Sequence, residues 1–306
     1  MLAEHWTELD GVEVFYRETP SPSDARVMMH LHGFAISGSY MLPTARMLTR
    51  EFHTLVPDLP GFGRSGNATT ALGVRELADA AAAFLVDRGI PRATLVGNSM
   101  GCPVICEFAF RHPDMLDHAI LVSPAGGSAN QPLPRAIGQL VRDSMREPLS
   151  LLRIAIPDYL RFGVPNTWRM FQALTHYPSE ERLLSIPVPT LAVVGSRDPL
   201  LPPLPQIREV AEQFEPRNRV VLVVIDGAAH AINFSHPGEL ANVIRLFMAD
   251  QPIVDDPHSP GHAHAYEIHR GRGAPPAGPE PGYPGARDRL ARHDVDGNRR
   301  TRPDRP

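Results

Sequence analysis

A chain of 306 residues with 42% hydrophobic and 21% charged residues is long enough to bury a large single core. Its 34 acidic residues outnumber 30 basic ones, all arginine, for a net charge of −4, so no basic surface for DNA or RNA and no nucleic-acid partner are expected. No run approaches the roughly 18 apolar residues of a membrane span, and residues 1–8 lack the charged-then-apolar pattern of a secretion signal, so no membrane partner and a cytoplasmic location are expected.

In chain order, residues 12–17 alternate like an antiparallel strand entered through the Asp10-Gly11 turn. Residues 27–31 read as a strand followed by His32-Gly33-Phe34-Ala35, and residues 53–56 as another. The Ala- and Leu-rich stretch 74–88 predicts a helix ended by Gly89-Ile90-Pro91. The apolar run 93–96 leads into Gly97-Asn98-Ser99-Met100-Gly101 and then a helix-like stretch from Cys102, and residues 118–122 form the next strand. No strand-like run follows until residue 188; the interval reads as helices at 135–146, 149–162 with a break at Pro157, 166–177 and 179–184. Strands at 188–194 and 219–225 come next, then a final helix started by His236 and ending near Met248. This alternation predicts an α/β fold with a mostly parallel, doubly covered central sheet. From Gln251 onward, ten Pro and seven Gly in 56 residues mark a tail expected to be disordered.

The five residues 97–101 have the form of a nucleophile elbow, a tight strand-to-helix turn that pushes its central side chain out above a sheet. Small residues at 97 and 101 would relieve the crowding of that turn, which makes Ser99 the candidate nucleophile and points the Met100 N–H, at the first helical turn, toward an oxyanion. Its partners are expected in the order acid, then histidine. Asp198 follows the strand at 188–194 and His230 follows the strand at 219–225, so the C-terminal ends of separate parallel strands would gather the three into one crevice. Gly33 lets the chain turn so that the Phe34 N–H becomes the second oxyanion donor. Asp226, four residues before His230, is the rival acid, and His32 a rival histidine that belongs to the structure of its own turn. Cys102 and Cys106, one helical turn apart, read as buried free thiols rather than a disulfide. His258, His262, His264 and His269 in the tail match no ligand spacing, so no metal is expected there. Phe162, Trp168, Met170, Phe171 and Tyr177 could line an apolar acyl pocket, although packing between helices is the commoner use of such a stripe.

These motifs, with the Asp58-Leu59-Pro60-Gly61-Phe62-Gly63-Arg64-Ser65 loop, resemble the α/β-hydrolase fold superfamily over residues 9–250. The Gly-Asn-Ser-Met-Gly elbow is similar to that of meta-cleavage-product (carbon–carbon bond) hydrolases, and His32-Gly33-Phe34 resembles cofactor-free haloperoxidases and simple esterases. The resemblance implies a core domain of residues 1–126 and 186–250 and a helical cap at 127–185 that carries specificity, and composition sets the disordered tail at 251–306 apart from both. A serine at 99 argues against the dehalogenase and epoxide-hydrolase branches, which use an aspartate there. The expected function is hydrolysis of a small-molecule carboxylic ester or related acyl bond through an acyl-enzyme, with Ser99, His230 and Asp198 as triad and Phe34 and Met100 as oxyanion hole. Alternatives are carbon–carbon bond hydrolysis, for which Ala231 in place of an aromatic after the histidine is a poor match, acyltransferase or haloperoxidase-like activity, and a non-catalytic ligand-binding role. No cofactor is implied, the partner expected is a small-molecule substrate, and self-association as a homodimer stays open.

Overall fold

A computed structural model describes residues 2–19, 25–67, 72–124, 132–215, 219–253 and 263–269. The strands are β1 (Ala3–Leu9), β2 (Val12–Glu18), β3 (Val27–Leu31), β4 (His53–Pro57), β5 (Ala93–Asn98), β6 (Leu116–Val122), β7 (Thr190–Gly195), β8 (Val220–Ile225) and β9 (Ala263–His269). They form one nine-stranded sheet in the order β1-β2-β4-β3-β5-β6-β7-β8-β9. Every pairing from β4 to β8 is parallel, while β1, β2 and β9 pair antiparallel. The opening hairpin turns at Asp10 and Gly11, both at positive φ (49° and 79°), the geometry of a two-residue turn whose twist matches its strands.

The helices are α1 (Leu42–Leu48), α2 (Val74–Asp87), α3 (Gly101–Arg111), α4 (Leu133–Ser144), α5 (Leu152–Thr175), α6 (Ser179–Leu184), α7 (Leu204–Ala211), α8 (Ile232–Ser235) and α9 (Pro237–Met248). Both faces of the sheet are covered. Because side chains alternate along a strand, Met29, Leu95 and Leu121 pack with Phe84 of α2 and Phe108 of α3, whereas Met28, Val96 and Ile120 join Ile244 and Phe247 of α9 on the other side. All six residues of β5 and of β8 are buried, as continuous apolar strands in a doubly covered sheet should be.

Between β6 and β7 the described chain is helical, in α4, α5 and α6. The break expected at Pro157 is not there. α5 runs through that proline and is interrupted at Gly163 (φ 76°, ψ 159°), a conformation open to glycine and closed to other residues, two positions before Pro165, which disfavours helix in the residue it follows.

The tail departs from expectation as well. Residues 263–269, inside the segment read as disordered, form β9, whose backbone pairs along β8 from Ile225↔Ala263 to Val220↔His269. Composition over the whole tail hid this window of Ala-His-Ala-Tyr-Glu-Ile-His, which contains neither Pro nor Gly, and an otherwise unpaired β8 edge offers it a row of hydrogen-bonding groups. The rest of the tail beyond residue 253 lies outside the described residues. Among the described residues no group of ligands could hold a metal ion, and no helix is long and apolar enough to cross a membrane. A chain ending at residue 253 should leave the β8 edge open and aggregate sooner on heating than the full chain; equal light scattering of the two would show that β9 does not protect the edge.

Candidate functional site

Ser99 sits between β5 and α3 at φ 54°, a left-handed conformation that costs a non-glycine residue of order 1–3 kcal/mol. Its neighbours hold it there. The Ser99 N–H donates to the Val122 carbonyl at 3.0 Å and the Ser99 carbonyl accepts from the Cys102 N–H at 3.0 Å. A Cβ on Gly97 would lie 2.6 Å from the Gly101 backbone, and one on Gly101 would overlap the Leu31 carbonyl oxygen, so both glycines are required for α3 to approach β5 and β3. Met100 is the N-cap residue of α3, and its N–H has no acceptor within the helix.

His230, in the loop after β8, meets Asp198, in the loop after β7, with Nδ1 to Oδ2 at 2.8 Å. The other Asp198 oxygen accepts from the Leu200 N–H at 2.9 Å, and the carboxylate is fully buried. Asp226 is engaged elsewhere: it accepts from the Ser196 hydroxyl at 2.8 Å, and that hydroxyl accepts from the Gly227 N–H at 2.9 Å. The His230 ring is therefore oriented by Asp198. Its Nε2 is buried with no hydrogen-bond partner among the described residues, Ser99 Oγ included, and both residues border the same pocket.

The turn after β3 closes the third side. His32 is buried; its Nε2 accepts from the Leu59 N–H at 2.9 Å, which leaves the proton on Nδ1 to donate to the Gly33 carbonyl at 3.0 Å. Burial holds its pKa below the usual 6.5, so it braces the turn as a neutral ring. A Cβ on Gly33 would sit 2.7 Å from the Tyr40 hydroxyl and 3.4 Å from Ser99 Cβ, which brings the backbone next to Phe34 against the serine. Asn98, a member of the elbow whose side chain sequence reasoning passed over, ties the pieces together. It accepts from Tyr40 Oη at 2.5 Å and donates to the carbonyls of Val122 (3.2 Å) and His230 (3.1 Å).

The profile of the Alpha/beta hydrolase family matches residues 28–243. The chain belongs to that family. It is 28% identical over 261 residues to the Pseudomonas syringae protein named "Putative carbamate hydrolase RutD", covering 75% of this chain and 96% of the relative. Among solved structures it resembles a membrane phospholipase A described as a bacterial virulence factor, at TM-score 0.69 and 27% identity over 81% of this chain and 86% of that one. It also shares the fold of an esterase from Thermogutta terrifontis, at TM-score 0.62 and 22% identity over 82% and 98% of the two chains.

In this α/β hydrolase the insertion supplies three carboxylates that no sequence motif announced. Asp143 accepts from the His230 N–H at 3.1 Å, Glu147 from the Ala231 N–H at 2.7 Å, and Asp158 from the Ser37 N–H at 2.8 Å. All three are buried. Burial raises the Asp143 pKa and pushes Glu147 up to about 7. The pocket beside Ser99 and His230 has a volume of about 350 Å³ and an aliphatic lining that includes Ile36, Leu140, Leu151, Leu152 and Ile156. The aromatic stripe considered for this purpose packs instead. Phe162 stacks on Phe62 with centroids 4.6 Å apart, Trp168 stacks on Phe171, Met170 joins the core, and the Tyr177 hydroxyl donates to Glu107. Apart from Ile36, the aliphatic residues named here lie on α4, on α5 and in the link between them, at positions where exposed and buried apolar residues are hard to tell apart by sequence.

Burial disfavours the His230 imidazolium, but the carboxylates of Asp198, Asp143 and Glu147 outweigh it and raise its pKa above 6.5. The charged ring thus contributes stability that is present below pH 6.5 and lost as pH rises through its folded-state value. An NMR titration should find the His230 midpoint above 6.5 and lower in Asp143→Asn and Glu147→Gln, whose amide oxygens still accept the backbone N–H groups. A wild-type midpoint at or below the ordinary value would contradict this electrostatic account.

Proposed function

We propose that this α/β hydrolase is a serine hydrolase that cleaves an ester, or a related acyl bond, of a small molecule with an apolar acyl group. The observation that most supports this is the Asp198–His230 hydrogen bond of 2.8 Å, which leaves Nε2 unpaired beside the pocket bordered by Ser99. In the proposed reaction the neutral form of His230, whose share grows as pH rises toward its raised pKa, takes the Ser99 hydroxyl proton on Nε2 as Oγ attacks the substrate carbonyl carbon. Asp198 fixes the ring and stabilises the imidazolium. The backbone N–H groups of Phe34 and Met100 stabilise the oxyanion. The imidazolium then protonates the departing alcohol, and water, activated by the same histidine, releases the acid from Ser99.

The helical insertion acts in this reading as the cap that furnishes the acyl pocket. The names of the relatives fit the same chemistry at different carbonyls: a carbamate for the Pseudomonas syringae protein and a phospholipid ester for the membrane phospholipase. The aliphatic lining favours a substrate with a hydrocarbon chain over an unsubstituted carbamate, which is too small and polar to fill such a pocket. Each methylene buried is worth about 0.8 kcal/mol, so kcat/KM on p-nitrophenyl esters should rise roughly fourfold per carbon from acetate until the pocket is full. A preference for acetate, or faster turnover of a carbamate than of any ester, would count against an acyl pocket.

Ser99→Ala should lower kcat by a factor on the order of 10⁴ to 10⁶ without unfolding the chain, and a fluorophosphonate should label Ser99. Asp198→Asn should cost on the order of 10⁴ in kcat, as loss of the orienting carboxylate does in other triads, while Asp226→Asn leaves turnover essentially unchanged. Survival at 198 with collapse at 226 would transfer the acid role to Asp226.

A further inference from the structure

The outward face of the insertion is unlike the rest of the surface. Between residues 132 and 170 stand six arginines, at 135, 142, 146, 153, 161 and 169, and three acids, Asp143, Glu147 and Asp158. Every one of the arginines is exposed and every one of the acids is buried. Arg146 reaches the Arg197 carbonyl and Arg161 approaches Asp158 and the Gly63 carbonyl. The side chains of Arg135, Arg142, Arg153 and Arg169 have no partner among the described residues. In a chain of net charge −4 the exposed charges of this segment are therefore all positive.

The same segment exposes apolar side chains. Of the thirteen exposed large hydrophobic side chains among the described residues, ten lie between residues 137 and 168. Met145, Leu149, Leu160 and Val164 are each at least 78% exposed, and Trp168 is 47% exposed. Such a concentration of exposed apolar side chains in one segment points to a docking surface rather than chance exposure. It is continuous with the pocket, because the exposed Ile137, Val141, Leu152 and Ile156 also line the cavity that contains Ser99 and His230.

Exposed aliphatic and aromatic side chains interspersed along the segment with exposed arginines match a bilayer surface that offers hydrocarbon beneath a layer of negative headgroups. They do not match a second copy of this chain. A two-fold pairing of the face with itself would set arginine against arginine with no exposed acid in the segment to offset the repulsion. That no helix among the described residues is long and apolar enough to cross a membrane concerns spanning a bilayer and not lying against one. We propose that this face of the insertion docks on an anionic phospholipid surface and turns the mouth of the Ser99 pocket toward the lipid.

Docking can be measured apart from catalysis with full-length Ser99→Ala protein, so its outcome is independent of the acyl-transfer reading. The protein should sediment with vesicles of phosphatidylcholine and phosphatidylglycerol in equal parts, far less with phosphatidylcholine alone, and less as salt rises. On a Trp6→Phe background, Trp168 emission should shift to the blue on binding. Replacing Arg142, Arg153 and Arg169 together by Gln should weaken partitioning on the order of 100-fold, given the attraction of each cation to an anionic leaflet. Leu149→Ser, Leu160→Ser and Val164→Ser in one chain should abolish the Trp168 shift. Equal partitioning onto neutral and mixed vesicles, or none onto either, would overturn the proposal. So would a dimer in sedimentation velocity that the triple serine variant dissociates. The comparison of the two vesicle types needs no surface variant, so the proposal stays testable even if one of them folds poorly.

Discussion

The close approach of α3 to β5 and β3 is the constraint on which the site depends. It exists because residues 97 and 101 have no side chain: a Cβ at either would drive into backbone. Once α3 is seated, Ser99 must turn through φ 54° to connect strand and helix, and the strain is held by main-chain hydrogen bonds on both sides of it. The proposed oxyanion donor at Met100 follows from the same fact, since the helix starts there and its first N–H groups have nowhere inside the helix to go. The parallel sheet then brings the loops after β7 and β8 to the same end, and Asn98 fastens the His230 loop to the elbow through the His230 carbonyl. Position, strain and unpaired donors thus share one steric origin.

A second set of interactions couples the insertion to that centre. Each of its buried acids accepts a backbone N–H of the core, and two of those N–H groups belong to His230 and Ala231. Removing a carboxylate from water is costly unless hydrogen bonds or a nearby cation compensate. Here the backbone amides and the His230 ring provide both, and Glu147 is nonetheless raised to about 7. The insertion therefore contributes to the charge environment of His230 as well as to the walls of the pocket, and a change in how it seats would alter both together.

What could be read in the sequence was local. The strand–turn–helix at Ser99, the strands preceding Asp198 and His230, and the turn at His32 are encoded within a dozen residues each, and the central sheet follows from alternating apolar runs and helices. The choice of Asp198 over Asp226 as the group facing His230 rested on order alone, and the hydrogen bonds place the two aspartates in separate surroundings. What could not be read was remote. Asp143, Glu147 and Asp158 meet their partners across separations of 87, 84 and 121 residues, and nothing in a short window distinguishes such an acid from a solvated one. β9 was hidden for the same reason, because its partner strand lies far back in the chain and its own seven residues are embedded in a Pro- and Gly-rich context. Pro157 lies in the early turns of α5 and does not end it, while Gly163 takes up a conformation no helix contains.

The two faces of the insertion are not independent. All the acids between residues 132 and 170 are consumed on the inner side, where each satisfies a backbone donor of the core. That leaves the outer side with arginine alone. Had the inner contacts been made by neutral acceptors and the acids distributed outside, the outer face would carry little net charge and the exposed apolar side chains would have no counterpart sign to select their partner. The segregation that tunes His230 from within is also what makes the surface above it complementary to an anionic layer, so a single acid moved from the inner face to the outer one would weaken both effects at once.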